Sequence, residues 1–359
     1  MIDPDAYAAL VCGWCLEAQA GQQVLIATTT LAQAPALALH RALLQRGAWP
    51  LMRLSPPELS AEFHRHAQPA QIDGFAPLEL AEAQGADAHV RIDAPANTRA
   101  LAGIEPGLVT RAARARRPLQ EARMRLRWCT TIWPTAALAQ QAGMGEREYE
   151  VFLQGALFLD RADPIAAWRE LGARQERLIE RLREGSEVRI EADRTDLRMR
   201  VDGRTWINSD GRRNMPSGEV FTGPHEPSAS GTIRFDVPSS HRGSEVVGVE
   251  LRFEEGRVVA ASAERGGDRL AAALATDEGA RYLGELGIGT NTGIDRATGS
   301  TLLDEKISGT VHLALGRSYP ETGGVNSSAL HWDLIRDLRD GGVLYLDDEP
   351  LIRGGVLVE

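Results

Sequence analysis

The stretch Gly309–Asp333, GTVHLALGRSYPETGGVNSSALHWD, sets His312, Tyr319, His331 and Asp333 among strand formers and turn residues. In a strand, side chains at i and i+2 share a face, so His331 and Asp333 project together while Leu330, Trp332 and Leu334 point the other way. Thr310, His312 and Ala314 likewise share a face opposite Val311, Leu313 and Leu315. A helix would turn residues two apart by about 200° and could not aim His331 and Asp333 at one point. Two extended segments are therefore expected, each with an apolar side for a core and a polar side bearing groups that bind metal ions.

Upstream, three glutamates sit in comparable settings: Glu219 in SGEVFTGP, Glu285 in YLGELGIGTN and Glu305 in LLDEKISG. A carboxylate among apolar and glycine residues needs compensation, because burying an unpaired charge is costly or forces protonation. A divalent cation supplies that compensation. Glutamate, aspartate and histidine together suit zinc, cobalt, manganese or iron, and no cysteine occurs in this half of the chain.

Four runs carry a wider pattern: WINSDGRRNMPSGEVFTGPHEPSASGTIRFD from Trp206 to Asp236, LGELGIGTN from Leu283, LLDEKISGTVHLALGRSYPETGG from Leu302, and SALHWD from Ser328. They resemble the metalloaminopeptidase family of aminopeptidase T and aminopeptidase S. RWCTTIWPTAALAQQAGMGEREYEVFLQGALFLDRADPIAAW, Arg127 to Trp168, is similar to the middle of that family, and the first fifty residues fit its opening helix and strand. The resemblance implies a homodimeric two-metal exopeptidase that removes the first residue from a peptide with a free N-terminus. Carried over position by position, its ligands fall on Glu219, Glu285, Glu305, His312, His331 and Asp333. Tyr319 falls beside the metals, and Glu285 is the carboxylate expected to be shared. Asp304 competes with Glu305 as a ligand, Lys306 then merely neutralising Glu305. His225 and Lys306 are candidates to support the ligands or touch substrate, whereas His64 and His66 read as surface residues.

The chemistry rests on elementary considerations. Amide hydrolysis at neutral pH needs a nucleophile, and a bound metal lowers the pKa of water from about 15.7 to about 7. Two divalent ions, zinc, cobalt or manganese, would share a carboxylate and a bridging water. Tyr319 would donate a hydrogen bond to the developing oxyanion, with metal ligand and shaping residue as its alternative roles. A rival reading takes His312, His331 and Asp333 as the two-histidine, one-carboxylate triad of a mononuclear nonhaem iron ring-cleaving enzyme of the dihydroxypyridine dioxygenase type. Such an iron needs open positions, which Glu219, Glu285 and Glu305 would obstruct, so the peptidase is the expected function.

The fold expected is α/β. Helices over 4–18 and 35–46 interleave with strands over 24–28 and 49–54, a β-α-β order that predicts a mainly parallel sheet. Further strands are expected over 87–92 and 123–131, and helices over 146–158 and 163–184. Residues 1–184 form the N-terminal α/β domain in this reading. From Glu187 onward, alternating runs such as EVRIEA, DLRMRV, GTIRFD and EVVGVELRF predict an antiparallel, β-rich α+β domain over 185–359, with helices inserted over 268–275 and 278–283. All proposed ligands lie in this second domain, which is therefore expected to be the catalytic, metal-binding one.

At 359 residues, 43% hydrophobic and 25% charged, the composition is that of an ordinary globular enzyme. A net charge of −10 argues against a general nucleic-acid binder. Seven arginines between Arg111 and Arg127 read as a solvated or ion-paired surface. MIDPDAYAAL lacks a basic segment followed by an apolar one, and no run has the ~18 apolar residues of a membrane span, so a cytoplasmic protein without membrane contact is expected. Cys12 and Cys15 form CGWC, but inside the first expected helix rather than after a strand, so they read as packing residues. Gly287 and Gly289 in GELGIG are expected to follow a helix or turn and miss the dinucleotide fingerprint.

Overall fold

In a computed structural model describing residues 1–241 and 244–358, the chain forms two units, Met1–Ala166 with Gly211–Pro216 and Ala167–Asp210 with Ser217–Glu359. In the first unit β1 (Gln23–Thr29), β2 (Trp49–Ser55), β3 (Ala88–Asp93), β4 (Arg127–Ile132) and β8 (Asn214–Met215) form one sheet in the order β2-β1-β3-β4-β8. Every pairing in it is parallel. β1 buries Val24, Leu25 and Ile26 in succession, the continuous apolar run of a strand covered on both faces. The helix Gln33–Gln45 connects β1 to β2 and buries Ala36, Leu39 and Leu43, which share one helical face.

Three boundaries differ from the sequence reading. The first helix, Pro4–Leu10, starts where the Asp3 side chain accepts from the Asp5 N–H, but after Leu10 the backbone widens into a π turn over Val11–Cys15. Glu17, at φ 45°, lies beyond it. Cys12 and Cys15 are buried in that turn, and burial pushes the Cys12 thiol up to about 11, outside the range of a redox thiol. β4 begins at Arg127, because Arg123 and Met124 complete the helix Arg117–Met124. That helix and its predecessor Pro106–Ala115 carry most of the arginine run, with Arg111 paired to Asp73 at 2.6 Å and Arg117 to Glu121 at 2.8 Å. The helix Pro164–Glu184 belongs to the second unit from Ala167 onward, whereas the sequence put the boundary after residue 184. Leu178, Ile179 and Leu182 on its buried stripe join the second unit's core.

The second unit holds two antiparallel sheets. The larger has the order β14-β13-β10-β6-β5-β18-β19-β20. Its strands are β5 (Glu187–Ala192), β6 (Thr195–Arg200), β10 (Ser230–Arg234), β13 (Glu250–Glu254), β14 (Arg257–Ser262), β18 (Val343–Leu346), β19 (Glu349–Arg353) and β20 (Val356–Leu357). The smaller has the order β17-β16-β15-β9-β7, from β7 (Ile207–Ser209), β9 (Glu219–Thr222), β15 (Leu283–Gly289), β16 (Thr310–Gly316) and β17 (His331–Asp337). β11 (Ser239–His241) and β12 (Ser244–Val246) form a separate ribbon. Val188, Ile190, Leu197 and Phe253 of the larger sheet and Leu286, Val311, Leu313 and Trp332 of the smaller belong to one core cluster. Each such buried Val or Leu stabilises the fold by roughly 1.5–3 kcal/mol.

Gly287 and Gly289 lie inside β15 rather than after a helix or turn. The helix expected over 278–283 shrinks to the 3-10 turn Glu278–Arg281, capped by the Asp277 side chain, and Leu283 already opens the strand. Among the described residues, no helix is long and apolar enough to cross a membrane.

Candidate metal centre

The seven residues singled out for chemistry all belong to the second unit. Glu219 opens β9, Glu285 lies in β15, His312 in β16, and His331 and Asp333 in β17; Glu305 follows the helical turn Thr301–Asp304, and Tyr319 lies between β16 and β17. Strand register carries the five strand residues onto one face. Glu219 pairs across from Gly289, His312 from Gly287, both Glu285 and Asp333 from Ala314, and His331 from Gly316. Every one of these large polar side chains thus stands over a neighbour with no side chain or a single methyl. A Cβ on Gly287 would fall 2.1 Å from Nε2 of His312, so only glycine leaves that ring its place. The alternate positions Leu286, Ile288, Val311, Leu313, Trp332 and Leu334 face the core, as the two-residue period requires.

Glu285 sits between the two imidazoles. Its Oε1 is 3.3 Å from His312 Nε2 and its Oε2 is 3.5 Å from His331 Nε2. His312 Nε2 also lies 3.4 Å from Glu219 Oε2, and His331 Nε2 lies 3.7 Å from Asp333 Oδ1. His331 Nδ1 is 2.8 Å from the Arg317 carbonyl, to which it must donate, leaving Nε2 with a lone pair aimed at the carboxylates. Lys306 bonds Glu219 Oε1 at 2.7 Å and also Glu305.

Burial dominates the electrostatics. It pushes the carboxyls of Glu219 and Asp333 above the ordinary carboxylate range, against the pull of Lys306 on the first and of His331 on the second. For His312 burial disfavours the charged ring, yet the bond to Glu285 and the charge of Glu219 win and raise its pKa to about 9. Glu305 is held low, the burial cost being outweighed by Lys306 and His312. Burial and then the charges of Glu285 and Asp333 raise Tyr319 well above an ordinary phenol, which keeps its proton in place.

These residues fit a metal. Glu219 Oε2 and Asp333 Oδ1 are buried with no hydrogen-bond partner among the described residues, and an oxygen lone pair in that position is what a cation takes up. Donor atoms lie within 4.8 Å of one another in three sets: Glu219, Glu285 and His312; Glu285, His331 and Asp333; and Glu305, His312 and Asp333. The mixture of carboxylate oxygen and imidazole nitrogen without thiolate suits zinc, cobalt, manganese or iron.

Other candidates separate from this cluster. Both oxygens of Asp304 are taken, Oδ1 by the Thr298 N–H and hydroxyl at 2.7 Å and Oδ2 by the Gly299 N–H at 2.8 Å. His225 turns Nε2 to the Asp202 carbonyl at 2.8 Å and joins none of the three sets. His66 is exposed beside Glu62. Two residues escaped the sequence reading. Gln175, buried on the long helix, donates 2.7 Å to the Glu219 carbonyl and 3.1 Å to Thr290, pinning the start of β9. A polar residue on the stripe of Trp168, Leu171, Leu178 and Leu182 was the available signal. Phe221, across from Gly287 on the site face, packs its ring 5.7 Å from Tyr319, whose ring lies 5.2 Å from His331.

Residues 3–346 match the family model described as thermophilic metalloprotease (M29). The chain is 34% identical to aminopeptidase 2 of Geobacillus stearothermophilus, with 77% of each chain covered. The solved structure of wild-type AmpT from Thermus thermophilus superposes with a TM-score of 0.84 at 27% identity over 99% of both chains. A 2,5-dihydroxypyridine dioxygenase from Pseudomonas putida gives a TM-score of 0.58 at 14% identity, over 100% of this chain and 98% of that one, a likeness of fold alone. Over nearly its whole length, then, this chain belongs to the M29 family of thermophilic metalloproteases.

Proposed function

We propose that the chain is a metal-dependent aminopeptidase that hydrolyses the first peptide bond of a peptide with a free N-terminus. The observation that carries this reading is the convergence of Glu219, Glu285, His312, His331 and Asp333 on one sheet face, with an oxygen of Glu285 toward each imidazole. Family membership and the aminopeptidase relative support it. The proposed ligands of two divalent ions, zinc, cobalt or manganese, are Glu219, Glu285, Glu305, His312, His331 and Asp333. Glu285, which turns one oxygen toward each imidazole, would contribute to both ions. Glu305 is preferred to Asp304 because the Asp304 oxygens already accept local hydrogen bonds.

Ions bound there supply Lewis acidity and a water whose pKa falls toward neutrality. The protein's own contribution is positioning. Tyr319, held protonated by its surroundings, donates its hydroxyl hydrogen to the carbonyl oxygen as that oxygen gains charge. Its ring and that of Phe221 form an apolar wall beside the carboxylates, suited to the substrate's first side chain. The Arg317 carbonyl fixes the tautomer of His331. The same proposal takes the enzyme to be a homodimer, on the family resemblance.

The test is metal content per chain by elemental analysis, coupled to hydrolysis of a panel of aminoacyl amides before and after chelation. About two divalent ions, with chelator-sensitive release of amino-terminal residues, is the expected result. A single iron, no hydrolysis and oxygen uptake with a dihydroxypyridine would overturn it.

A further inference from the structure

Lys306 is 1% exposed, a rare position for a lysine unless its charge is matched. Its backbone is pinned on both sides: its N–H donates to the Leu303 carbonyl at 3.0 Å, and its own carbonyl accepts from the Asn291 N–H at 3.0 Å. The next residue, Ile307, bridges to Asn291. From this fixed root the ammonium reaches Glu219, at the start of β9, and Glu305, its neighbour in sequence. On Glu219 it takes only Oε1, leaving Oε2 without a hydrogen-bond partner among the described residues and 3.4 Å from His312 Nε2.

We infer that Lys306 is a positioning residue, which occupies one oxygen of Glu219 and one of Glu305 so that each presents a single oxygen to a metal ion. The inference rests on the proposed metal site and deepens it. A carboxylate with both oxygens unoccupied can swing to bind one ion through both, which changes coordination number; an ammonium anchored by its own backbone prevents that swing. It also ties two ligands from separate elements at one distance before any ion arrives. Both of its carboxylates are candidate ligands, and its burial keeps it from substrate.

The experiment titrates metal-free protein with zinc by calorimetry and records the visible spectrum of the cobalt-loaded form, for wild type, Lys306→Met and Lys306→Arg. Lys306→Met should weaken zinc binding by roughly 10–100-fold and lower the cobalt absorbance toward that of a higher coordination number, with Lys306→Arg restoring part of both. A lysine that merely fills the site would compete with the ion, so unchanged or tighter zinc binding by Lys306→Met, with an unaltered cobalt spectrum, overturns the inference. Should Lys306→Met fail to fold, the balanced variant Glu305→Gln/Lys306→Met is compared with Glu305→Gln alone, where equal zinc affinity overturns it equally. Wild type that binds no divalent ion would instead sink the proposed function.

Discussion

In the larger sheet of the second unit, β5 and β6 alternate buried and accessible positions, and their charges meet at the surface, Arg189 with Asp196 at 2.7 Å and Arg198 with Glu187 at 2.7 Å. In the smaller sheet β15 and β16 are buried at every position, yet they carry Glu285 and His312. Both sheets are antiparallel, and both turn apolar side chains into the same core. They differ in what stands across from each charged residue. Arg198 pairs across from Arg189, long side chains each held by a carboxylate of the same sheet, whereas across the β15–β16 pair His312 meets Gly287, and Glu285 meets Ala314. A charge in a strand says little alone. A charge opposite a missing side chain marks space reserved for something else.

The strongest way to break this comparison is to remove a charge from the buried set. Glu285→Gln should lower kcat/KM on aminoacyl amides by more than about 1000-fold, some 4 kcal/mol of transition-state stabilisation, and reduce the metal content found by elemental analysis. Activity within tenfold of wild type would show that the convergence on Glu285 is incidental. Filling the reserved space comes next. Gly287→Ala should destabilise the protein by roughly 1–3 kcal/mol through overpacking against His312, measured by urea unfolding, and weaken metal binding in parallel. A neutral result would mean that the ring position is not set by its neighbour. The smallest effect belongs to the surface pair. Arg189 holds the Asp196 carboxyl below the usual range, so its contribution is fully present above the unfolded pKa, about 3.9, and is lost as pH falls through the folded value. Asp196→Asn should therefore cost less than about 1 kcal/mol at neutral pH, and the difference from wild type should vanish in acid. A larger loss would erase the contrast between the sheets.

Much of this contrast was legible in the chain. The two-residue period in TVHLALG and HWD turned His312 in one segment, and His331 with Asp333 in the other, away from the side that holds Val311, Leu313 and Trp332, because side-chain alternation is a property of a single strand. Register is not. Nothing local says that Gly287 meets His312, so the glycines of LGELGIG read as a failed nucleotide motif when they lie beneath the candidate metal-binding side chains. Asp304 and Glu305 were equally acidic neighbours in sequence; a loop closing from Thr298 and Gly299 separates them. The boundary after residue 184 tracked the change from helical to alternating pattern, but the helix before it packs its apolar stripe into the same core as Val188 and Ile190 of β5.

The short segment Gly211–Pro216 bears on how the chain is made. It leaves the second unit to add β8 to the parallel sheet beside β4, pairing Asn214 with Thr130 and Met215 with Thr131. During synthesis the first sheet therefore waits for its last strand until β5, β6 and β7 have already emerged. No single cut of the polypeptide liberates both units whole, so the catalytic half is better dissected by grafting than by truncation.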